Sequence, residues 1–283
     1  MFNLEEYLKR RRSRIDEAID ARMPPAELRP TVLHQAMRYA VLSGGKRLRP
    51  ILCLAASEAA GGGWEEALNA AVAVELVHAY TLIHDDLPCM DDDALRRGKP
   101  TCHVAFGEAN AVLAGDALQA LAFELASQCN PGSLYPPNQP VIELAQAAGS
   151  RGVVGGQVED IVFSEKVPDA DAVAFIHLHK TADLFRAAVR MGAVCANAAP
   201  EVLDALTTYA VELGLAFQIV DDLLDADSGE SDPMSCLAVY DTPRAREESR
   251  NRTVNAVAAI DSLDKEAAAP LVTLAERIME RKS

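Results

Sequence analysis

The sequence has few aromatic residues, few basic residues and no long uninterrupted apolar run. Phe, Trp and Tyr make up 5% of its 283 residues, although apolar residues altogether make up 49%. Lys and Arg number 27 against 42 Asp and Glu, so the formal net charge is −15. Nucleic-acid binding needs a basic surface, and this balance argues against it. We expect no membrane span either, because no apolar run reaches the roughly 18 residues that one needs.

The six cysteines lie far apart, and no two of them form a C-x-x-C pair. This spacing argues against a zinc site and against thioredoxin-type chemistry. Scattered cysteines in apolar segments are typical of reduced, buried thiols in a cytosolic protein. The N-terminal segment MFNLEEYLKRRRSRIDEAID is charged and lacks the apolar region of a secretory signal. We therefore expect a cytoplasmic protein.

Apolar residues recur with helical spacing along nearly the whole chain, and strand alternation is hard to find. We predict helices at 3–20, 27–42, 49–60, 64–86, 110–128, 139–148, 170–190, 200–226, 242–260 and 265–281. The turn-rich stretches between them are short, and helical patterning resumes on each side. The sequence thus predicts one all-α domain over residues 1–283, with about ten or more helices.

Two of these helices are apolar almost all round, and each ends in a cluster of aspartates. In VDDLLD, Asp221 and Asp225 are four residues apart and share one helix face, where like charges repel. In DDLPCMDDD, Asp85 and Asp91 are six residues apart, and Pro88 between them can turn both carboxylates to one side. Each cluster alone is equally typical of a solvated helix end. Two of them on core helices favour a bound cation, and Mg²⁺ prefers one or two carboxylates together with phosphate oxygens.

Basic residues form a second set of candidates. In SGGKRLRP, Lys46 and Arg49 lie near a predicted helix start, where free N–H groups and the helix dipole favour an anion. Arg97 follows the first aspartate cluster and offers a forked donor to phosphate oxygens. His78 lies about two turns before that cluster, although a histidine in a core helix is as often only packed there. The residue types predict metal ions that hold phosphates, with Arg and Lys on the remaining oxygens.

Five motifs in this order resemble one known family: GGKRLRP, the stretch from LIHDDLPCMDDDALRRGKPT to AVLAGDAL, GGQVEDI, HKTADLFRAAVRMGA and FQIVDDLLD. They are similar to short-chain trans-isoprenyl diphosphate synthases, most of all bacterial farnesyl diphosphate synthases, from about residue 30 to 226. The resemblance implies helices around a central cavity, a homodimer, and dependence on Mg²⁺, with three ions when substrate is bound. It also implies head-to-tail condensation of isopentenyl diphosphate with dimethylallyl or geranyl diphosphate to farnesyl diphosphate.

The resemblance also implies site residues. The isopentenyl diphosphate site would comprise Lys46, Arg49, His78 and Arg97. The allylic diphosphate site would comprise Arg96, Lys180, Thr181 and Gln218. The metal ligands would be Asp85, Asp91, Asp221 and Asp225. Residues with a direct part in catalysis would be Asp85, Asp91, Arg96, Lys180 and Asp221.

Product length is predicted from Tyr80, with Thr81 beside it. Tyr80 lies five residues before Asp85, or about 7 Å along a helix axis. In the family, an aromatic residue here goes with a fifteen-carbon product, because its ring forms a floor under the growing chain. We therefore expect farnesyl diphosphate, with geranyl or geranylgeranyl diphosphate as alternatives.

The sequence departs from the family in one loop. A lysine-bearing loop that contacts the allylic diphosphate normally follows the second aspartate motif. Here the stretch 226–243, ADSGESDPMSCLAVYDTP, contains no Lys or Arg and is about a dozen residues short. A non-catalytic paralogue or partner subunit therefore remains an alternative, although both aspartate motifs are present.

Overall fold

The computed structural model describes residues 2–163, 166, 169–229 and 234–280. In these residues thirteen α-helices account for most of the chain, and the all-α prediction is confirmed. The helices are α1 Leu4–Arg22, α2 Thr31–Leu42, α3 Leu48–Ala59, α4 Leu68–Asp85, α5 Cys102–Phe106, α6 Glu108–Ser127, α7 Gln139–Ala148, α8 Val153–Phe163, α9 Ala170–Ile176, α10 Asp183–Cys195, α11 Pro200–Ser228, α12 Thr242–Ala259 and α13 Lys265–Met279. A π-helix, His177–Ala182, joins α9 to α10, and a 3₁₀ turn spans Cys236–Ala238. Two short strands, β1 Leu95–Arg96 and β2 Lys99–Pro100, form a hairpin.

Local signals mark several helix ends. The Asn3 side chain accepts a hydrogen bond from the backbone N–H of Glu6 at the start of α1. The long helix α11 begins at Pro200 and ends before Gly229, which adopts a left-handed conformation with φ 87°. Side-chain caps, an initial proline and a terminal glycine are the usual devices for starting and stopping a helix. These ends therefore follow from the sequence alone.

The predicted helix at 139–148 is confirmed, but the list of predicted helices was incomplete. It omitted α8, because glycines at 152, 155 and 156 reduce the helix propensity of this segment. It also omitted α5, whose five residues are too few to show a helical period. The helix predicted from residue 64 begins only at Leu68. The predicted helix 170–190 is interrupted by the π-helix, a feature often found at functional sites.

Helix α4 is central to the fold. Eleven of its eighteen residues are buried, most of them Ala and Val, which allow close approach of neighbouring helices. It packs against α3, α6 and α10. Helix α11 packs against α10, α12, α13 and the π-helix. The two aspartate motifs thus lie at the carboxyl ends of two core helices.

By length and composition alone, α11 is the one helix in the described residues that could cross a membrane, and 44% of its most apolar window is buried inside the fold. It carries seven acidic residues and packs against several other helices. This is the setting of a core helix, whose apolar side chains are covered by protein.

Candidate functional site

The first aspartate motif closes into a tight turn. Helix α4 ends at Asp85, and the backbone N–H of Asp91 donates to the carbonyl of Asp85 at 2.9 Å. Burial raises the pKa of Asp85 to about 6, and the charge of Asp91 contributes to this rise. Burial also raises the pKa of Asp91. The turn therefore concentrates negative charge in a partly dry position, which suits a cation.

The acidic turn fits Mg²⁺ in its donor chemistry. Carboxylate oxygens are hard ligands, and Mg²⁺ is commonly held by one or two of them while phosphates and water supply the rest. Within the described part of the chain, no group of three or more His, Cys, Asp or Glu side chains forms a metal cage. Asp85 and Asp91 would leave coordination positions open for substrate oxygens.

The neighbouring aspartate of this motif has a different role. Asp86 is only 3% exposed, and its Oδ1 accepts from Nε of Arg96 at 2.7 Å and lies 2.5 Å from Nη2. Arg96 stands on β1, so this ion pair fixes the hairpin to the end of α4. The hairpin turn itself is formed by Arg97 and Gly98, both with positive φ, as a two-residue type I′ turn requires.

The π-helix supplies a cation to the acidic turn. Nζ of Lys180 lies 2.5 Å from Oδ2 of Asp160 on α8. Burial alone would lower the pKa of Lys180, but the charges of Asp160, Asp85 and Asp91 raise it. Lys180 is therefore a charged group that faces both the acidic turn and α8.

The next residue of the π-helix connects to the second aspartate motif. Oγ1 of Thr181 donates to Oε1 of Gln218 at 2.6 Å, and Nε2 of Gln218 donates to Oδ1 of Asp222 at 2.8 Å. Asp222 is 5% exposed, and its Oδ2 accepts from the backbone N–H of Cys236 at 2.7 Å. Asp222 therefore holds the segment that follows α11, as Asp86 holds the hairpin.

The remaining aspartates of the second motif are more accessible. Asp221 is partly buried and Asp225 is exposed, four residues apart on α11. The charge of Asp221 also acts on Arg49, which raises the pKa of that guanidinium against the larger effect of burial. The second motif thus lies within electrostatic range of Arg49 on α3.

Three of the four predicted isopentenyl diphosphate residues lie together. Nη1 of Arg49 is 3.4 Å from Nε2 of His78, and the guanidinium stacks over Phe185 with its carbon 4.8 Å from the ring centre. Burial lowers the pKa of Arg49 to about 10, and Nε of Arg49 has no hydrogen-bond partner in the described residues. Arg97 donates to the carbonyl of Gly44 from the hairpin turn. A buried, incompletely bonded cation is well suited to receive an anion.

His78 is neutral in this setting. Burial, together with the positive charges of Arg49 and other arginines nearby, lowers the pKa of His78 well below its ordinary value. A neutral imidazole can accept a hydrogen bond from Arg49 through its unprotonated nitrogen. Lys46, the fourth predicted residue, is exposed and lines a separate groove of about 910 Å³ beside Arg12, Phe217 and Arg277. The structure therefore does not bring Lys46 together with His78.

The sequence profile of the Polyprenyl synthetase family matches residues 30–233, most of the chain. The chain belongs to this family. It is 42% identical to geranylgeranyl pyrophosphate synthase 11, chloroplastic, of Arabidopsis thaliana over 98% of its own length and 82% of that protein.

Solved structures agree with the family assignment. An FPP/GFPP synthase from Zymomonas mobilis matches with a TM-score of 0.89 and 37% identity, over 98% of this chain and 99% of that one. A geranylgeranyl pyrophosphate synthetase from Pyrococcus horikoshii matches with a TM-score of 0.86 and 29% identity, over 98% and 99%. The protein is therefore a trans-prenyl diphosphate synthase, and enzymes of this polyprenyl synthetase family depend on Mg²⁺ in general.

Tyr80 and Thr81, which are predicted to set product length, precede Asp85 on α4 by about one helical turn. Tyr80 is 5% exposed, and its ring meets the His84 ring edge-on with centroids 5.8 Å apart. Nε2 of His84 lies 3.1 Å from the carbonyl of Val112 on α6, so this face of α4 points toward α6. Thr81, four residues before Asp85, shares the face of that aspartate. A role of Tyr80 and Thr81 in product length stays a prediction.

Part of the shortened loop lies outside the described residues, at 230–233. In the part that follows, the Arg244 guanidinium stacks over Tyr240, with its carbon 4.4 Å from the ring centre. Arg246 lies 3.5 Å from Asp227 at the end of α11. A small apolar cluster of Val173, Ile219, Leu223, Cys236 and Ala245 anchors this part of the polyprenyl synthetase fold. The part of the loop that leads into α12 is therefore held by apolar packing, and the start of α12 is held by an ion pair.

Sequence reasoning missed three functional neighbours: Asp86, Asp160 and Asp222. Asp160 belongs to GGQVEDI, which was identified as a family motif without a role for its carboxylate. The motif itself was the available signal, because the contact of Asp160 with Lys180 joins residues that are 20 positions apart in the chain. For Asp86 and Asp222, no local signal separates them from the aspartates just before them.

Proposed function

We propose that the protein is a farnesyl diphosphate synthase, which condenses isopentenyl diphosphate with dimethylallyl diphosphate and then with geranyl diphosphate. The observation that carries this proposal is the position of Lys180 and Thr181. Lys180 faces the acidic turn of Asp85 and Asp91, while Thr181 is bonded to Gln218 beside the second motif. One short π-helix thus supports binding of a single diphosphate between two acidic motifs.

The allylic diphosphate would be held by Arg96, Lys180, Thr181 and Gln218. Asp85, Asp91, Asp221 and Asp225 would hold Mg²⁺, which when bound neutralises diphosphate charge and makes diphosphate a better leaving group. Lys180 and Arg96 would stabilise the charge that develops on the departing oxygens. Both are already positioned by carboxylates, Asp160 and Asp86, so little reorganisation is needed.

The isopentenyl diphosphate would bind at Arg49, His78 and Arg97. The buried guanidinium of Arg49 lacks a full set of hydrogen bonds, and diphosphate oxygens would supply them. Neutral His78 would fix the plane of Arg49 without adding a further positive charge. Lys46 remains a proposed member of this site, and it would have to turn from its groove to reach the same diphosphate.

The product proposed is farnesyl diphosphate, because the buried Tyr80 ring fills space on α4 below Asp85. Geranylgeranyl diphosphate is the second candidate, and one specific observation favours it. The 42% identical relative from Arabidopsis thaliana is a geranylgeranyl pyrophosphate synthase. The two candidates differ only in one further condensation, so the same site serves both.

We further propose that residues 1–283 form one domain and that the protein is a cytoplasmic homodimer. One apolar core includes both Leu4 and Ile278, which supports the single domain. Val104, Val112 and Leu113 are exposed on or beside α6 and would suit a subunit interface. A non-catalytic role is disfavoured, because both aspartate motifs keep their positions at the ends of α4 and α11.

The test is to incubate purified protein with Mg²⁺, isopentenyl diphosphate and each of dimethylallyl, geranyl and farnesyl diphosphate. We expect farnesyl diphosphate to accumulate from the first two, with little elongation of the third. Accumulation of a twenty-carbon product would favour the second candidate. No turnover with any allylic substrate would contradict both and favour the non-catalytic alternative. Omission of Mg²⁺ with added chelator provides the control.

A further inference from the structure

Gln157 on α8 is buried without a hydrogen-bond partner. It is only 8% exposed, yet neither Nε2 nor Oε1 of its amide is bonded to another described residue. Burial of an unsatisfied polar group is unfavourable, because the group loses its hydrogen bonds to water. Native proteins keep few such groups, and each calls for an explanation. A ligand that bonds to the amide would provide one.

The pattern of buried residues on α8 shows which side of the helix Gln157 occupies. Val153, Gly156 and Gln157 are the buried residues of α8, and they recur at helical spacing on one side. The opposite side is exposed and carries Val154 and Val158. Gln157 therefore faces the interior of the fold, toward the elements that α8 packs against.

Gly156 and Asp160, which precede and follow Gln157 on α8, both contact Lys180 of the π-helix. A Cβ atom at Gly156 would lie 2.4 Å from the backbone nitrogen of Lys180, so only glycine permits this approach. One turn later, Asp160 pairs with Nζ of Lys180 at 2.5 Å. Gln157 lies between these two contacts along α8. Gln157 is therefore on the part of α8 that packs against the π-helix, between the two α8 residues that contact Lys180.

We propose that Gln157 is a catalytic residue that contacts the reacting end of the allylic diphosphate, with Oε1 directed toward the carbon where positive charge develops. This inference rests on the proposed function. In the reaction, the allylic C–O bond breaks and its electron pair stays on the diphosphate. The π electrons of isopentenyl diphosphate form the new C–C bond, and a proton then passes from the adjacent carbon to the released diphosphate. A fixed carbonyl dipole in a site without water stabilises the intermediate positive charge.

In this proposal Lys180 and Gln157 have different roles. The Lys180 ammonium binds the diphosphate, which carries negative charge, and it would repel the allylic cation. The neutral amide of Gln157 can face the carbon without drawing the diphosphate away from Lys180. Asp160 cannot serve this purpose, because its carboxylate is already paired with Lys180.

The test is Gln157→Leu, which removes the dipole and nearly keeps the volume. With isopentenyl and geranyl diphosphates we expect kcat to fall about ten- to a hundredfold. We expect both KM values to stay within about threefold, because diphosphate binding depends on other residues. Tm should stay unchanged or rise, because an unsatisfied buried group has been replaced by an apolar one. Gln157→Met serves as a second variant if the branched side chain does not fit.

The matched control is Val153→Ala, one turn earlier on the same buried side of α8. It should lower Tm and leave kcat within about twofold. The inference is overturned if Gln157→Leu keeps the wild-type kcat, if Val153→Ala loses kcat equally, or if neither Gln157 variant folds. Wild-type protein assayed in parallel separates the two proposals. Its failure to turn over would overturn the proposed function as well, whereas an active wild type with an equally active variant overturns only the role of Gln157.

Discussion

Buried Asp86 forms an ion pair with half-buried Arg96, directly beside the two predicted metal ligands of the first aspartate motif. Asp86 is 3% exposed and lies 2.5 Å from Nη2 of Arg96, while Asp85, one residue earlier, is partly exposed. The same division occurs in the second motif, where buried Asp222 binds Gln218 and Asp221 is more accessible. In each pair of adjacent aspartates, one carboxylate is buried and bonded to another side chain of the fold, and the other is more accessible.

Neutralising the two aspartates of the first motif should have opposite effects on stability. Asp86→Asn weakens a charge-assisted contact worth about 1.5–3 kcal/mol, so we expect Tm to fall by several degrees. Asp85→Asn relieves repulsion with Asp91, so Tm of the metal-free protein should stay equal or rise. Turnover should fall by several orders of magnitude in Asp85→Asn, because the proposed metal ligand is lost. Thermal unfolding in chelator and steady-state assays in Mg²⁺ measure both effects.

The opposite pattern would contradict this division. If Asp86→Asn lost all turnover with Tm unchanged, Asp86 would be the ligand and Asp85 the support. Asp93→Asn is a suitable control, because that exposed carboxylate lies 3.6 Å from Arg96 in a weaker contact. It should change neither Tm nor turnover greatly.

Truncation of Tyr80 should lengthen the product. Tyr80→Ala removes a buried ring from α4 and opens space below Asp85, into which a longer chain can grow. We expect twenty-carbon or longer products to appear beside or in place of farnesyl diphosphate, as measured by chromatography of the dephosphorylated products. Thr81→Ala, on the face of Asp85, is the comparison. An unchanged product distribution in Tyr80→Ala would locate the floor of the cavity elsewhere.

Acid should destabilise the fold partly through His78. Its pKa in the folded protein lies well below that of an unfolded histidine, about 6.5, so below that pH the unfolded chain binds the additional proton. Stability from this residue is thus present above pH 6.5 and is lost as the pH falls, by at most about 1.4 kcal/mol per pH unit. His78→Gln removes the titration. Between pH 7.5 and 5.5, Tm of the wild type should therefore fall more than Tm of the variant; equal losses would show that His78 titrates normally.

The shortened loop should weaken binding of the allylic substrate. The missing lysine contact would be worth roughly 1.5–3 kcal/mol, which corresponds to about a ten- to hundredfold higher KM for the allylic diphosphate. KM for isopentenyl diphosphate should be nearly normal, and some allylic alcohol should form because water reaches the cation. Grafting a lysine-bearing loop of family length between Asp227 and Ala238 should restore affinity.

Arg244 is the residue that would compensate if this prediction fails. It now stacks over Tyr240 near the end of the same segment. If the unmodified enzyme already has an allylic KM as low as that of full-loop relatives, Arg244→Ala should raise that KM. A normal KM in both proteins would mean that the loop lysine contributes little to binding in this chain.

The sequence by itself determined most helices, their ends and the closeness of Asp85 to Asp91. These features depend on residues near one another in the chain: helical periodicity, caps such as Asn3, and a turn of six residues that contains Pro88. The GGKRLRP and VDDLLD motifs also indicated phosphate and metal binding by their residue types, and the family resemblance added Lys180 and Thr181 of HKTAD to the candidate diphosphate site.

Only the tertiary structure decided which member of each aspartate pair is buried and bonded within the fold. Asp85 and Asp86 are chemically identical neighbours about 100° apart around a helix, and the choice depends on where the hairpin places Arg96. Helix α8 was missed for a related reason. Its glycines weaken the local helical signal, yet Gly156 is needed because the backbone of Lys180 lies against it. Such contacts join residues distant in the chain, so they follow from packing, which the local pattern of the sequence does not contain.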